Sequence, residues 1–157
     1  MRRNRFQITR LESKDVAEIC ADMMANSEPW ISLKRGYKEC LELINDSTLE
    51  VYVAWLDKRV IGAIVIEMLG TFKGYIKSVC VLPEMRDQGI GTELIKFAEE
   101  RIFSETPNVF LLVSSFNHKA QELYERLGYV EVGELSNFVL EGYSEILMRK
   151  TLGPLSG

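Results

Sequence analysis

The chain has 157 residues, 46% hydrophobic and 27% charged, with a net charge of −4, a composition that excludes fibrous and disordered classes and fits one soluble domain. A chain of about 150 residues buries roughly 70% of its unfolded surface, so no disulfide or metal is required to hold it together. Its basic residues are scattered and its apolar runs are shorter than a membrane span or a signal segment, so no nucleic-acid or membrane partner is expected, and a cytoplasmic location is.

In chain order, Phe6-Gln7-Ile8 reads as a strand, and Ser13 can cap a helix to about Asn26 with Val16, Ile19, Cys20 and Met23 on one face. Pro29 closes that unit. A second helix is expected from about Gly36 to Asn45, its apolar stripe being Tyr37, Cys40, Leu41 and Ile44. Val51-Tyr52-Val53 and Trp55 lead through Asp57-Lys58-Arg59 into Val60 to Met68, the pattern of an antiparallel hairpin. After Gly70 and Gly74 a strand from Tyr75 to Leu82 halts at Pro83, and a glycine-bearing loop opens a helix from about Gly89 to Phe103. Val109 to Val113 is a short apolar run suited to a buried parallel strand. Asn117 can cap a helix ending near Leu127, where Gly128 fits a stop. Strands near Tyr129 to Val139 and Tyr143 to Lys150 finish the domain, which is expected to occupy residues 1–151 and leave 152–157 as a frayed tail. This order implies a mixed α/β layer with a partly antiparallel sheet covered by helices. Cys20, Cys40 and Cys80 are spaced neither as a disulfide framework nor as a zinc cluster and read as small buried hydrophobes.

The informative stretch runs from Val79 to Thr92, where a strand meets a helix through Gly89-Ile90-Gly91. Backbone N–H groups can approach an anion closely only where side chains do not intervene, and the helix start adds its positive end. A lone Gly-x-Gly is equally a tight strand-to-helix turn. Two familiar phosphate loops fail on spacing: the Lys-Ser/Thr ending of a P-loop is missing, and Leu94 stands where a dinucleotide fingerprint wants a small residue. Arg86-x-x-Gly89-x-Gly91, after the strand end Val81-x-Pro83, resembles the pyrophosphate loop Gln/Arg-x-x-Gly-x-Gly/Ala of the GNAT superfamily of acyl-CoA N-acyltransferases. The resemblance implies that Arg86, Asp87, Gln88, Gly89, Ile90, Gly91 and Thr92 hold the pyrophosphate. It also implies that pantetheine lies along the backbone of Val79, Cys80 and Val81, which positions the thioester carbonyl.

Downstream, the run from Asn117 to Tyr129 is similar to the second signature of that family, Asn-x-x-Ala-x-x-Leu/Phe-Tyr-x-x-x-Gly-Phe/Tyr. Asn117 suits an N-cap, and the resemblance adds a cofactor contact. Tyr124 stands two helical turns further on the same face. On residue type alone it is an amphipathic side chain at a helix–sheet boundary; the resemblance makes it the general acid that protonates the departing CoA thiolate. His118, the single histidine, reads as solvent-facing, and no Ser-His-Asp arrangement can be assembled.

The resemblance implies a single domain with a central mixed, mostly antiparallel sheet of about seven strands flanked by about four helices. It further implies acetyl transfer from acetyl-CoA, without a metal, to an amine on a small molecule, peptide or protein, by direct attack in a ternary complex. Nothing beside Cys80 in sequence activates a thiolate for a covalent route. In some ribosomal-protein and N-terminal acetyltransferases a Glu five residues before the motif asparagine serves as base; here Leu112 stands there. Glu67, Tyr75 and Glu28 are the candidate bases or relays, Glu67 also readable as a solvated strand residue and Glu28 as helix-terminal surface, and Trp30, also readable as packing, and Tyr143 are candidates to line the acceptor pocket. A water chain would serve without a dedicated carboxylate. An inactive acyl-CoA-binding regulatory module is the alternative within the same fold, and a structural homodimer with an incidental glycine turn is a third; homodimerisation is also compatible with the resemblance.

Overall fold

A computed structural model describes residues 6–156, so the basic start of the chain and Gly157 lie outside the described residues. The helices are α1 (Lys14–Ala25), α2 (Tyr37–Ile44), α3 (Ile90–Phe103) and α4 (His118–Arg126). The strands are β1 (Phe6–Arg10), β2 (Leu49–Leu56), β3 (Arg59–Glu67), β4 (Tyr75–Val81), β5 (Asn108–Ser114), β6 (Val130–Ser136) and β7 (Ser144–Thr151). They form one sheet in the order β1-β2-β3-β4-β5-β7-β6. Every neighbouring pair is antiparallel except β4 and β5.

Both faces of the sheet are covered, which explains the unbroken apolar run of β3, buried from Val60 through Ile66. One core joins α3 and α4 to the sheet through Leu94, Ile95, Ile102, Leu111, Val113 and Met148. The other joins α1 and α2 to it through Cys20, Met24, Cys40, Ile44, Val65 and Cys80. The buried stripe of α1 is Ala17, Cys20, Ala21, Met23 and Met24, rotated from the expected face: Ile19 is 50% exposed. Ala17 and Ala21 have no bulk beyond Cβ, so they let α1 approach its neighbours where the larger Ile19 would hold it off. Likewise Tyr37 is exposed, leaving Cys40 and Ile44 as the buried residues of α2. The penultimate strand stops at Ser136, earlier than expected, because Asn137 takes a left-handed conformation at φ 55° and turns the chain. No helix among the described residues is long and apolar enough to cross a membrane.

The parallel pair positions the site. β4 and β5 pair only at Tyr75↔Phe110 and Ile76↔Leu111. On its other edge, β4 carries a bulge: Ile66 pairs with Ile76 and Val65 with Ser78, leaving Lys77 as the extra residue. A bulge bends its strand, and beyond Ile76 β4 and β5 diverge, splitting the sheet. Gly74 fixes where the split begins. Its carbonyl accepts the Phe110 N–H at 2.9 Å, its φ is 90°, and a Cβ there would lie 2.5 Å from the Asn108 carbonyl oxygen and 2.6 Å from Ile102 Cγ2. Gly74→Ala is therefore expected to lower the unfolding free energy by about 2–4 kcal/mol through backbone strain and overpacking. Urea unfolding with an unchanged m-value would measure it.

Candidate active site

A cleft of about 910 Å³ occupies the split and reaches both faces of the sheet. On the α3 side it meets the glycine loop. Asp87 and Gly89 both adopt left-handed backbone, φ 61° and 81°, curling the chain into α3. The first helical hydrogen bond runs from Glu93 N–H to the Gly89 carbonyl at 3.0 Å, so the N–H groups of Ile90, Gly91 and Thr92 precede the ladder. Ile90, Gly91 and Thr92 line the cleft with Gly89, Arg86 and Asp87. The two glycines serve different ends. A Cβ on Gly89 would meet nothing within 4 Å, so that glycine answers the backbone angle. Gly91 has no such angle, and a Cβ there would make only ordinary contact, 3.9 Å to Val81 Cγ2 and 4.0 Å to Leu123 Cδ2; its smallness keeps the cleft wall open. The Arg86 side chain folds back to donate from Nε to the Val81 carbonyl at 3.4 Å. Gln88 faces away, into a separate cavity of about 150 Å³ beside Phe6 and Leu56. Asp87 pairs with Lys119 at 3.7 Å, but both are too exposed for the pair to contribute much.

Val79, Cys80 and Val81 form the β4 wall. The buried Cys80 thiol donates to Ser27 Oγ at 3.8 Å, and burial pushes it up to about 11, ahead of the lowering by Ser27 and Arg86. A thiol so shifted is a poor nucleophile at neutral pH.

The α4 side begins at Asn117, whose Oδ1 accepts the Ala120 N–H at 3.3 Å as an N-cap. The Gln121 amide donates to the Ser114 and Ser115 carbonyls at 3.1 and 3.0 Å, tying the helix start to the end of β5. Tyr124 is 7% exposed and lines the cleft, its ring edge-on to Tyr129 at 5.9 Å. Tyr129 is held in turn by Glu99, which accepts from its hydroxyl at 2.8 Å and from Lys150 at 3.0 Å. Burial pushes the Tyr124 phenol up to about 12, so it stays protonated and able to donate at neutral pH. His118 is exposed.

On the α1–α2 side the cleft is bounded by Glu28, Trp30 and Tyr75. Glu28 is exposed and accepts from the Ser32 N–H at 3.0 Å and from the Ser32 hydroxyl, bracing the turn that follows it. Trp30 packs its half-buried ring against the α1–α2 core. Burial, then the charges of Glu67 and Glu145, raise the Tyr75 phenol above its ordinary value. Glu67 and Tyr143 lie outside the lining. The first sits at the end of β3, 3.9 Å from Lys77, and the second packs edge-on against Phe116 at 5.4 Å. Leu112 occupies the wall where the resemblance would put a carboxylate.

Sequence reasoning missed Glu145 and Ser114, which meet on that wall: the Ser114 hydroxyl donates to Glu145 Oε1 at 2.9 Å. The available signal was an acid at the head of the apolar run Ile146-Leu147-Met148. It also missed Phe138 and Val139, which enter the lining from the turn after β6. Among the described residues no group of three or more His, Cys, Asp or Glu side chains is arranged to hold a metal ion.

The profile of the Acetyltransferase (GNAT) family matches residues 16–129. An N-alpha-acetyltransferase of Sulfurisphaera tokodaii is 31% identical over 126 residues, covering 71% of this chain and 75% of that protein. The fold superposes on the ribosomal-protein-S18-alanine N-acetyltransferase of Escherichia coli with a TM-score of 0.74 at 17% identity, over 95% of both chains. An aminoglycoside 6'-N-acetyltransferase complexed with coenzyme A gives a TM-score of 0.74 at 19% identity, over 94% of this chain and 98% of that one. With the family profile spanning most of the domain and the split sheet meeting an anion-ready helix start, this chain belongs to the GNAT family and is an acetyl-CoA-dependent N-acetyltransferase.

Proposed function

We propose that the chain transfers acetyl directly from acetyl-CoA to a primary amine in a ternary complex, with peptide α-amines as the acceptor class. The observation that carries this reading is the divergence of β4 from β5 beyond Ile76, which joins the α3 amides on one face to an open cleft on the other. The amides of Ile90, Gly91 and Thr92 and the Arg86 guanidinium suit a pyrophosphate. The β4 segment Val79–Val81, freed from β5, suits an extended amide-bearing arm laid beside it as a strand. Asn117 borders the same arm. Tyr124 supplies the proton that the thiolate takes as the C–S bond breaks. With the Cys80 thiol pushed up to about 11, a covalent acetyl-enzyme is disfavoured. The α-amine preference follows the relatives called N-alpha-acetyltransferase.

Acetyl-CoA and CoA are expected to raise the melting temperature by about 5–10 °C at a hundredfold excess over Kd, with NADH and ATP doing far less. Equal stabilisation by all four would remove the specific site. Thiol release from acetyl-CoA should then be measured with a peptide bearing a free α-amine, an N-blocked peptide bearing lysine, and spermidine. The proposal predicts fastest release with the free α-amine; equal or greater release with the other two would overturn the acceptor class.

A further inference from the structure

We propose that Glu145 is the residue that receives the acceptor amine and takes its proton; this rests on the transfer reading above. Glu145 is 6% exposed at the wall of the cleft. One oxygen accepts from Ser114, and the other, Oε2, is buried without a hydrogen-bond partner among the described residues. A buried orphaned acceptor is costly and is expected to have a use.

Strand alternation places it. Along β5 and β7, Leu111 with Met148 and Val113 with Ile146 are paired and turn into the α3–α4 core. Ser114 and its partner Glu145 therefore project from the opposite face, as do Leu112 and Leu147. Tyr124 belongs to the α3–α4 side, with the glycine loop ahead of α3. The chain thus sets a phenol on one side of the split and a carboxylate on the other. A thioester threaded through the split would be approached by an amine from the Glu145 side and would lose its sulfur toward the Tyr124 side. As the nitrogen lone pair forms the C–N bond and the C–S bond breaks, one amine proton passes to the Glu145 carboxylate, whose side chain turns its unpaired oxygen to the cleft, and the sulfur takes the Tyr124 proton. Solvent exchange then restores both groups. The other candidates are engaged: Glu28 by Ser32, and Glu67 near Lys77 outside the lining. Glu145 is in register with Ser114 on β5 and Leu135 on β6, its charge raises the Tyr75 phenol on β4, and the α1–α2 side brings Glu28, Arg35 and Glu39 to the same cleft.

The test compares wild type with Glu145→Gln, using acetyl-CoA and the α-amine peptide, lysine peptide and spermidine. Turnover with the preferred amine should fall by about 10²- to 10⁴-fold while KM for acetyl-CoA changes less than about threefold. Burial raises the Glu145 carboxyl, so wild-type kcat/KM should show an acid limb above the ordinary value of 4.5 that the variant lacks. Because that carboxyl is raised, its contribution to stability is full below the unfolded value and lost as pH rises through the folded one. Glutamine imitates the neutral acid, so the variant should melt at pH 7 no lower than wild type. A variant that keeps turnover within about threefold, or that loses melting temperature and acetyl-CoA affinity together, would overturn the assignment. A wild-type protein that binds acetyl-CoA but acetylates none of the three amines would overturn the transfer reading, and Glu145's role with it.

Discussion

Tyr124→Phe is expected to lower the single-turnover rate of acetyl transfer by about 10²- to 10⁴-fold, the range a general acid supplies. The variant removes only a hydroxyl that no protein group among the described residues hydrogen-bonds, and it keeps the ring edge-on to Tyr129. Folding should therefore change by less than about 1 kcal/mol, and acetyl-CoA affinity should be nearly intact. The effect should sit in the chemical step, so single-turnover kinetics must be used to keep product release from masking it. Because burial holds the phenol near 12, the wild-type acid function should persist across the neutral range with no loss until strongly alkaline pH. A folded variant with the wild-type single-turnover rate would take Tyr124 out of the chemistry.

Gly91→Val is expected to weaken acetyl-CoA binding by about tenfold to a hundredfold while leaving the apo fold within about 1 kcal/mol of wild type. A side chain at this position has ordinary contact distances to Val81 and Leu123 and no unfavourable backbone angle, so the protein can accommodate it. The added methyl groups would stand in front of amides that an anion must approach. Gly89→Val is a less clean test, since φ of 81° makes any side chain there strained and stability should fall along with affinity. Calorimetric CoA titration beside thermal melting separates the two. Unchanged affinity in folded Gly91→Val would return the loop to an ordinary turn.

The sequence disclosed the order of elements because the punctuation is strong: Ser13, Asn117, Pro83 and the glycines mark ends that the structure keeps within a residue or two. The strand, loop and helix start that form one side of the cleft were legible for the same reason, since they are contiguous in the chain. The opposite side of the cleft was not. Glu145 gains meaning only from its register opposite Ser114, a separation of 31 residues, and from burial that no local pattern encodes. Glu67 and Tyr143 have suitable chemistry, yet they fall outside the lining: Glu67, at the end of β3, lies beside Lys77, and Tyr143, just ahead of β7, packs on Phe116. The buried face of α1 was misjudged by one position because Ala17 and Ala21 carry little periodic signal yet permit the closest approach.

Rapid-quench kinetics with enzyme in excess over acetyl-CoA, in the presence of the preferred amine, separates direct transfer from a route through an acetylated protein. Free thiol, acetylated amine and intact protein mass are read from the same samples. Direct transfer across the split predicts that thiol and acetylated amine appear with one rate constant, that the protein mass never changes, and that omitting the amine abolishes both. An acetylated protein that forms before the product, or thiol release at the same rate without an amine, would contradict it.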